Sequence, residues 1–348
     1  MKKLDQAPEI HAIAQSLELS TEGGAVSNII HHCHQRIQGW LKDGKVIQSI
    51  QELERLICQK LRLIIEEVWS DEELNAACDR YLRQGEVIFA HVRNDFDEKT
   101  FATLVERKKI TPKSVDRYVA IVDCRGQKGL RRFFTRWHEI AHILTLNQQL
   151  ELRLHRTTSG AEQNPSEKLM DTIAAEVGFY KPLFVPVLKE ELVTAGRLTF
   201  DVVEKVRERF CPEASFAATL HACLKECGHA AALLDCGMGY KKEERQKLES
   251  KQGLLLPEKL PNPKLRLLSV VPNAASKGHF AFHKNMAVPA TSLVQECQSG
   301  KCDETLQYTR NESLQIWRHS DGSCLGFNSV HVEVRKMGEH THALVTGL

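Results

Sequence analysis

The sequence lacks an excess of charge of either sign. Its 348 residues include 47 Lys and Arg and 45 Asp and Glu, which gives a formal net charge of +2. A strongly basic chain would suggest nucleic acid or an anionic membrane surface as a partner. The near balance supports neither, so we expect no direct binding of nucleic acid and no membrane partner.

Long apolar runs are also missing. No run approaches the roughly 18 apolar residues of a membrane-spanning helix. No apolar stretch of the kind found in signal peptides follows the first residues, MKKLDQ. We therefore expect a cytoplasmic protein. With 42% hydrophobic residues, the chain is long enough for at least two domains.

The eleven cysteines lack the dense, paired spacing of a disulfide scaffold. Reduced thiols are therefore expected. Cys223 with Cys227, or Cys297 with Cys302, could in principle bind a second metal, but neither spacing has an obvious second pair. The cluster HHCH at 31–34 is also a weak candidate for a metal site. Consecutive residues of a helix point in different directions, so few of these four side chains could share one ion.

One motif does carry chemistry, and it lies in the segment RRFFTRWHEIAHIL at 131–144. His138, Glu139 and His142 form an H-E-x-x-H pattern within an apolar, helix-compatible run. Residues four apart lie on one face of a helix, so both imidazoles can bind one zinc ion. Glu139 is then placed beside a zinc-bound water as the catalytic base.

A catalytic zinc needs a third protein ligand. Metzincins carry a third histidine six residues after the second, but that position is Gln148 here. A carboxylate from a following segment is the alternative, and the sequence offers four candidates: Glu151, Glu162, Glu167 and Glu176. Glu151 is too close to the helix to return from a second element, while Glu162 lies in a predicted loop and stays open, as does Glu176.

Glu167 is favoured because it opens the next predicted helix. Asp171 lies four residues further along the same face, where it could hydrogen-bond a ligand histidine from outside the metal's own ligand set. A competing interpretation exists, since Asn164 and Glu167 have the spacing of a capping box and Glu167 could merely cap its helix. The transition-state donor stays open among Tyr180, His155, His221 and His229.

The pattern of elements predicts an α+β fold, namely a helix-rich metallopeptidase domain with a small sheet and a strand-rich C-terminal domain. The predicted domains are 1–45, an N-terminal helical segment; 46–240, the metallopeptidase domain; 241–264, a linker; and 265–348, the strand-rich domain. Helical spacing runs through 46–68, and strands are predicted at 87–92, 118–124, 267–271, 314–318 and 330–334. Residues 148–163 are expected to be a loop. The strand at 118–124 leads by a short turn into the H-E-x-x-H helix, and its edge could bind an extended substrate.

The segment at 131–144 resembles the R-R-F-T-x-x-H-E-x-x-H-x-L stretch of the ImmA/IrrE metallopeptidases. The helix that begins near Glu167 is similar to that family's E-x-x-A-N-x-F-A-A helix. The resemblance implies that His138, His142 and Glu167 bind zinc and that Glu139 is the base.

Several positions depart from the family pattern. Phe134 is an extra residue before the threonine, and Met170, Asp171 and Ile173 replace alanine, asparagine and phenylalanine. Asp171 is closer to the E-x-x-x-D pattern of thermolysin-like gluzincins.

The resemblance implies a zinc endopeptidase that cleaves a regulatory protein in response to stress, such as a transcriptional repressor or an antitoxin. The C-terminal domain would then sense a signal or hold the substrate. The alternative is a non-catalytic, metal-containing regulator that acts by binding another protein. The presence of Glu139 favours the enzyme, because a structural metal site needs no general base.

Overall fold

The computed structural model describes residues 4–42, 46–108, 116–146, 164–241, 243–246, 262–301, 306–319, 321–326 and 328–348, and the backbone of 153–157. The fold mixes helices and sheets, as the predicted α+β class requires. The chain divides into two compact units. The first contains Met1–Val187 and Arg207–Ala218, and the second contains Leu188–Val206 and Thr219–Leu348.

The first unit is built on a four-stranded sheet with helices. Its helices are α1 Pro8–Ser16, α2 Ala25–Leu41, α3 Ile50–Leu61, α4 Asp71–Arg83, α5 Phe89–Asp95, α6 Arg132–Leu144 and α7 Pro165–Gly178. Its strands are β1 Leu63–Val68, β2 Thr100–Glu106, β3 Tyr118–Asp123 and β4 Arg153–Thr157. Three further helices follow in the chain, α8 Lys181–Ala195, α9 Phe200–Phe210 and α10 Phe216–Glu226.

The first sheet has the order β1-β3-β2-β4, so β3 lies inside it. β3 is parallel to β1 and antiparallel to β2, and all six of its residues are buried. A 3₁₀ turn, Gly126–Arg131, leads from β3 into α6 as predicted. The expectation that an edge of this strand could take an extended substrate is wrong, because both of its edges are paired.

The strand predicted at 87–92 is wrong, since Phe89–Asp95 forms a helix. Phe89 and Val92 are buried at helical spacing, and the Phe89 ring stacks on Tyr81 of α4 at 4.4 Å between centroids. A short apolar run does not distinguish a strand from a buried helix by its periodicity, and tertiary packing decided here.

The continuous helix suggested by 46–68 is also interrupted. Arg62 adopts a left-handed conformation with φ of 57°, which ends α3 and lets the chain turn into β1. The predicted loop at 148–163 contains β4, which pairs with β2. Both corrections concern strands whose partners lie far away in the sequence.

The second unit contains a five-stranded antiparallel sheet. Its strands are β5 Ala231–Gly239, β6 Lys264–Pro272, β7 Gln307–Ser313, β8 Ser329–Met337 and β9 His340–Gly347, in the order β6-β5-β9-β8-β7, and a short helix, α11 Leu293–Glu296, accompanies them. β5, which falls within the predicted range 46–240, pairs with β6 and β9. The predicted strands at 267–271 and 330–334 lie within β6 and β8.

The strand predicted at 314–318 is wrong, because Leu314–Ile316 forms a 3₁₀ turn after β7. The Ser313 side chain accepts a hydrogen bond from the backbone N–H of Gln315. The turn buries Leu314 and Trp317 completely in the core of this unit. Burial of large apolar side chains therefore explains the apolar pattern that suggested a strand.

Candidate metal centre

α6 is a buried helix that carries polar side chains into the interior of the first unit. Eleven of its thirteen residues are buried, among them His138, Glu139 and His142. Its C-terminal carbonyl, on Leu144, accepts a hydrogen bond of 2.7 Å from Arg36 of α2. A cation at a helix C-terminus is also favourable for the helix dipole.

The two histidines of the motif face each other one turn apart. His138 is fully buried and His142 is 8% exposed. Their Nε2 atoms lie 3.1 Å apart, and their ring centroids are 4.8 Å apart. The helical spacing of the motif therefore places both Nε2 atoms at one point, as predicted.

Glu167 reaches that point from the first turn of α7. Its Oε2 lies 3.1 Å from Nε2 of His138, and its Oε1 lies 3.6 Å from Nε2 of His142. The helix N-terminus is capped by Asn164 instead, whose side chain accepts a hydrogen bond from Ser166 N–H at 2.9 Å. Pro165 occupies the first helical position, where its missing N–H does no harm.

The charge state of Glu167 suits a ligand. Burial raises the pKa of this carboxyl group, whereas the hydrogen bond with His138 and the charge of His142 lower it. The lowering effects are larger in sum, and the pKa lies below its usual value. Glu167 therefore faces the histidines as a carboxylate.

Asp171 fixes the orientation of His138. Its Oδ1 lies 2.8 Å from Nδ1 of His138, on the opposite side of the ring from the Nε2 atom that faces Glu167. With Nε2 turned toward the cluster, Nδ1–H donates to the Asp171 carboxylate. Carboxylates in this position hold a ligand histidine in the tautomer that binds a metal.

His138, His142 and Glu167 could together hold a metal ion. One donor atom from each lies within 4.8 Å of the others, and no other group of three His, Cys, Asp or Glu residues does so in the described part of the chain. Donors on a tetrahedral ion at about 2.0–2.2 Å are about 3.3–3.6 Å apart. The observed spacings of 3.1 and 3.6 Å lie close to that range, so the residues fit such an ion.

α6 and α7 approach each other closely where Gly178 meets Trp137. A Cβ atom on Gly178 would lie 3.0 Å from the indole ring. The absence of a side chain there lets the two helices that carry the site pack together. The sequence alone does not predict that Gly178 packs against Trp137, because this contact forms only when α7 packs on α6.

A buried arginine anchors the opposite side of α6. Arg136 is 8% exposed, and its guanidinium lies among three carboxylates from different segments, those of Glu54, Glu67 and Glu213. Nε lies 2.7 Å from Glu54 and Nη2 lies 2.7 Å from Glu213. The sequence analysis does not predict the ion pairs of Arg136. A charged residue in the middle of an apolar helix is a signal that could have indicated them, because a buried charge needs partners.

Two of the candidates for a transition-state donor, Tyr180 and His155, belong to the same unit as the metal-capable group. Tyr180 is 5% exposed, its ring stacks on His34 of α2 at 6.1 Å, and burial raises its pKa. His155 lies in β4, and its side chain is outside the described residues. His221 and His229 belong to the second unit.

Among the described residues, the other possible metal ligands form no further group that could hold an ion. Of the carboxylates considered, Glu176 is not part of the metal-capable group, and Glu151 and Glu162 lie outside the described residues. In the HHCH segment, Cys33 points into the core while His31 is exposed. No disulfide joins any of the ten described cysteines, and Cys302 lies outside the described residues.

No family model matches the chain, and a search of curated proteins returns no match either. Among the described residues, no helix is both long enough and apolar enough to cross a membrane.

Proposed function

We propose that this protein is a zinc-dependent endopeptidase whose centre is formed by His138, His142 and Glu167, with Glu139 as the catalytic base. The observation that carries the proposal is the meeting of three donor atoms spaced 3.1–3.6 Å apart: two imidazole nitrogens from α6, the helix that also carries Glu139, and a carboxylate from α7. The resemblance of 131–144 and of the helix after it to the ImmA/IrrE metallopeptidases supports the same assignment.

The donor set favours zinc over other common cations. Two neutral imidazoles and one carboxylate are the ligands of many catalytic zinc sites, and they leave one position for water or substrate. Magnesium and calcium prefer oxygen donors throughout. When bound, zinc would polarise a substrate carbonyl and lower the pKa of a water toward about 7.

The chain's own side chains would supply positioning and proton transfer. Glu139 follows His138 directly and precedes His142 by three residues, so it borders the face that carries both imidazoles. There its carboxylate takes the proton of the attacking water and passes it to the departing amine. Asp171 keeps His138 oriented and does not itself touch the reacting atoms.

Glu167 is the most exposed of the three ligand side chains. The side chains of Glu167 and Asp171 are 16% and 37% exposed, whereas that of His138 is 1% exposed. A substrate would therefore approach over α7, with the histidines behind it. A partly open approach is consistent with a reaction site and with the enzyme interpretation over a closed structural metal site.

The proposed substrate is a regulatory protein in the cytoplasm, such as a transcriptional repressor or an antitoxin, cleaved in response to stress. The support for this is the resemblance alone. The same metal group in a non-catalytic regulator would bind a protein without cleaving it, and cleavage assays separate the two functions.

The ligand assignment can be tested with two matched variants on α7. Zinc content is measured for the purified protein, for Glu167→Gln and for Glu176→Gln. We expect about one zinc per chain in the parent and in Glu176→Gln, and strongly reduced zinc in Glu167→Gln. Loss of zinc in Glu176→Gln with retention in Glu167→Gln would contradict the assignment.

A further inference from the structure

The second unit contains a cavity of about 700 Å³ beside β6, within the size range of small-molecule sites. The segment 283–289 forms one wall and follows the free side of β6. Leu267 N–H donates to Met286 O at 2.9 Å, and Val288 N–H donates to Leu265 O at 3.0 Å. The cavity is therefore bounded by regular backbone hydrogen bonds.

Arg266 of β6 lines this cavity and is only 3% exposed. Its Nη1 donates to the backbone carbonyl of Asn285 at 2.9 Å. Its Nε–H is buried and has no acceptor among the described residues. Within the described ranges, no carboxylate lies within 4 Å of its guanidinium. A buried cation with a single neutral partner is unfavourable in a folded protein unless another group accepts its remaining hydrogen bonds or balances its charge.

The other two buried arginines show how this chain satisfies such a group. Arg107 is 5% exposed and pairs with Glu86 and with the side-chain oxygen of Gln84. Arg136, in α6, lies among the three carboxylates described above. Arg266 differs from both, because no described acid lies beside it and its side chain borders a cavity.

Further positive charge surrounds the same cavity. Lys241, Lys284, Arg318, His283 and His319 line it, and Glu243 is the one acidic residue among the described lining residues. The nearby Asp321 bonds the Ser323 hydroxyl at 2.6 Å and its backbone N–H at 2.9 Å. The potential inside the cavity is therefore positive, and it attracts anions.

The rest of the wall is apolar. Met286 and Val288 are each 8% exposed and pack in the core of this unit, and Ile316 is half-buried. A cavity with a buried arginine, a basic rim and an apolar wall suits a molecule with an anionic group at one end and an apolar body at the other.

We propose that this cavity binds a small organic anion, with its phosphate or carboxylate group on Arg266 and its apolar body against Met286 and Ile316. The planar guanidinium can donate two parallel hydrogen bonds to either group, which is the geometry that arginine provides and lysine does not. The inference depends only on the second unit and is independent of the metal centre.

Calorimetric titration of the full-length protein tests the proposal with three probes that share one ring. Phenyl phosphate and phenylacetate carry the two candidate anionic groups, and phenol carries none. We expect saturable binding of at least one anionic probe, weakening as salt is raised from about 50 to 500 mM, and no measurable binding of phenol. The tighter of the two anions identifies the preferred group.

Variants assign the binding to this cavity. Arg266→Met keeps the length and apolar stem of the side chain, and we expect it to weaken the better probe at least about tenfold. Arg318→Gln, at an exposed position of the rim, should weaken it severalfold and keeps the test open if Arg266→Met fails to fold. Lys277→Gln, an exposed lysine of the same unit outside the cavity, should bind as the parent does.

Three results would overturn the proposal. The first is equal binding of phenol and the anionic probes, and the second is no saturable binding of any probe. The third is unchanged binding in folded Arg266→Met and in Arg318→Gln.

Discussion

Replacing Asp171 with asparagine should weaken zinc binding without removing a zinc ligand. The Asp171 carboxylate accepts a hydrogen bond from Nδ1 of His138 at 2.8 Å, and its negative charge strengthens the donation of Nε2 to a metal. Asparagine keeps one acceptor oxygen, removes the charge, and replaces the second oxygen with an NH2 group of nearly the same size. The variant therefore isolates the electrostatic contribution.

The size of the effect follows from the exposure of the carboxylate. Changes in the residues that support a ligand histidine typically weaken metal binding by about 10- to 100-fold. Because the Asp171 side chain is 37% exposed and an acceptor remains, we expect the lower end of the range. That is about tenfold in Kd, or about 1.4 kcal/mol.

Competition with a chromophoric chelator at fixed pH and salt measures this change. Thr172→Ala is the matched control, because Thr172 is the next residue of α7 and its hydroxyl bonds only the backbone carbonyl of Lys168 at 2.8 Å. The control should bind zinc as the parent does. Equal zinc affinity in Asp171→Asn and the parent would refute the positioning role of Asp171.

Three further predictions concern stability. Arg136→Met leaves three glutamates facing one another and should lower the free energy of unfolding, measured by urea titration, by about 3 kcal/mol. This is the lower end for a broken buried ion pair, because two of the glutamates are partly exposed. An unchanged midpoint of urea unfolding would contradict this. Gly178→Ala adds a Cβ 3.0 Å from Trp137 and should lower the free energy of unfolding by about 1–3 kcal/mol. It should also alter the near-ultraviolet circular dichroism signal of the indole. An unaltered signal and unaltered stability would show that α6 and α7 do not meet there. Burial raises the pKa of Glu333 from 4.5 to about 7 against the lowering effect of the Phe200 N–H hydrogen bond, so its stabilising protonated form is lost as pH rises from about 4.5 through 7. Stability should therefore fall by up to about 3 kcal/mol over that range, and Glu333→Gln should remove most of the dependence, whereas an identical pH profile in the variant would count against it.

The parts of the site that could be predicted from the sequence are those encoded locally. The i, i+4 spacing of His138 and His142 places both rings on one face, and Asn164 with Pro165 marks the start of α7. Once the start of α7 is known, the spacing of four residues places Glu167 and Asp171 on one face of that helix. The remaining ambiguity, whether Glu167 caps its helix or faces the histidines, was a tertiary question that only the packing of α7 on α6 resolves.

The parts that could not be predicted depend on residues distant in sequence. β2 and β4 pair with each other although they lie far apart in the sequence, and no local pattern predicts either strand. The three carboxylates around Arg136 come from separate segments, so the sequence shows a charge in an apolar helix and not its partners. In the sequence Arg266 is an ordinary strand residue. Only the fold places the segment 283–289 beside it.

The most direct test of the peptidase account is a paired measurement on Glu139→Gln. Zinc content and cleavage of candidate repressor and antitoxin proteins are determined for the variant and the parent under the same conditions. The account predicts about one zinc per chain in both, cleavage by the parent, and a loss of at least about 100-fold in the variant, because the base contributes that much to proton transfer. Cleavage by zinc-loaded Glu139→Gln at the rate of the parent would contradict it.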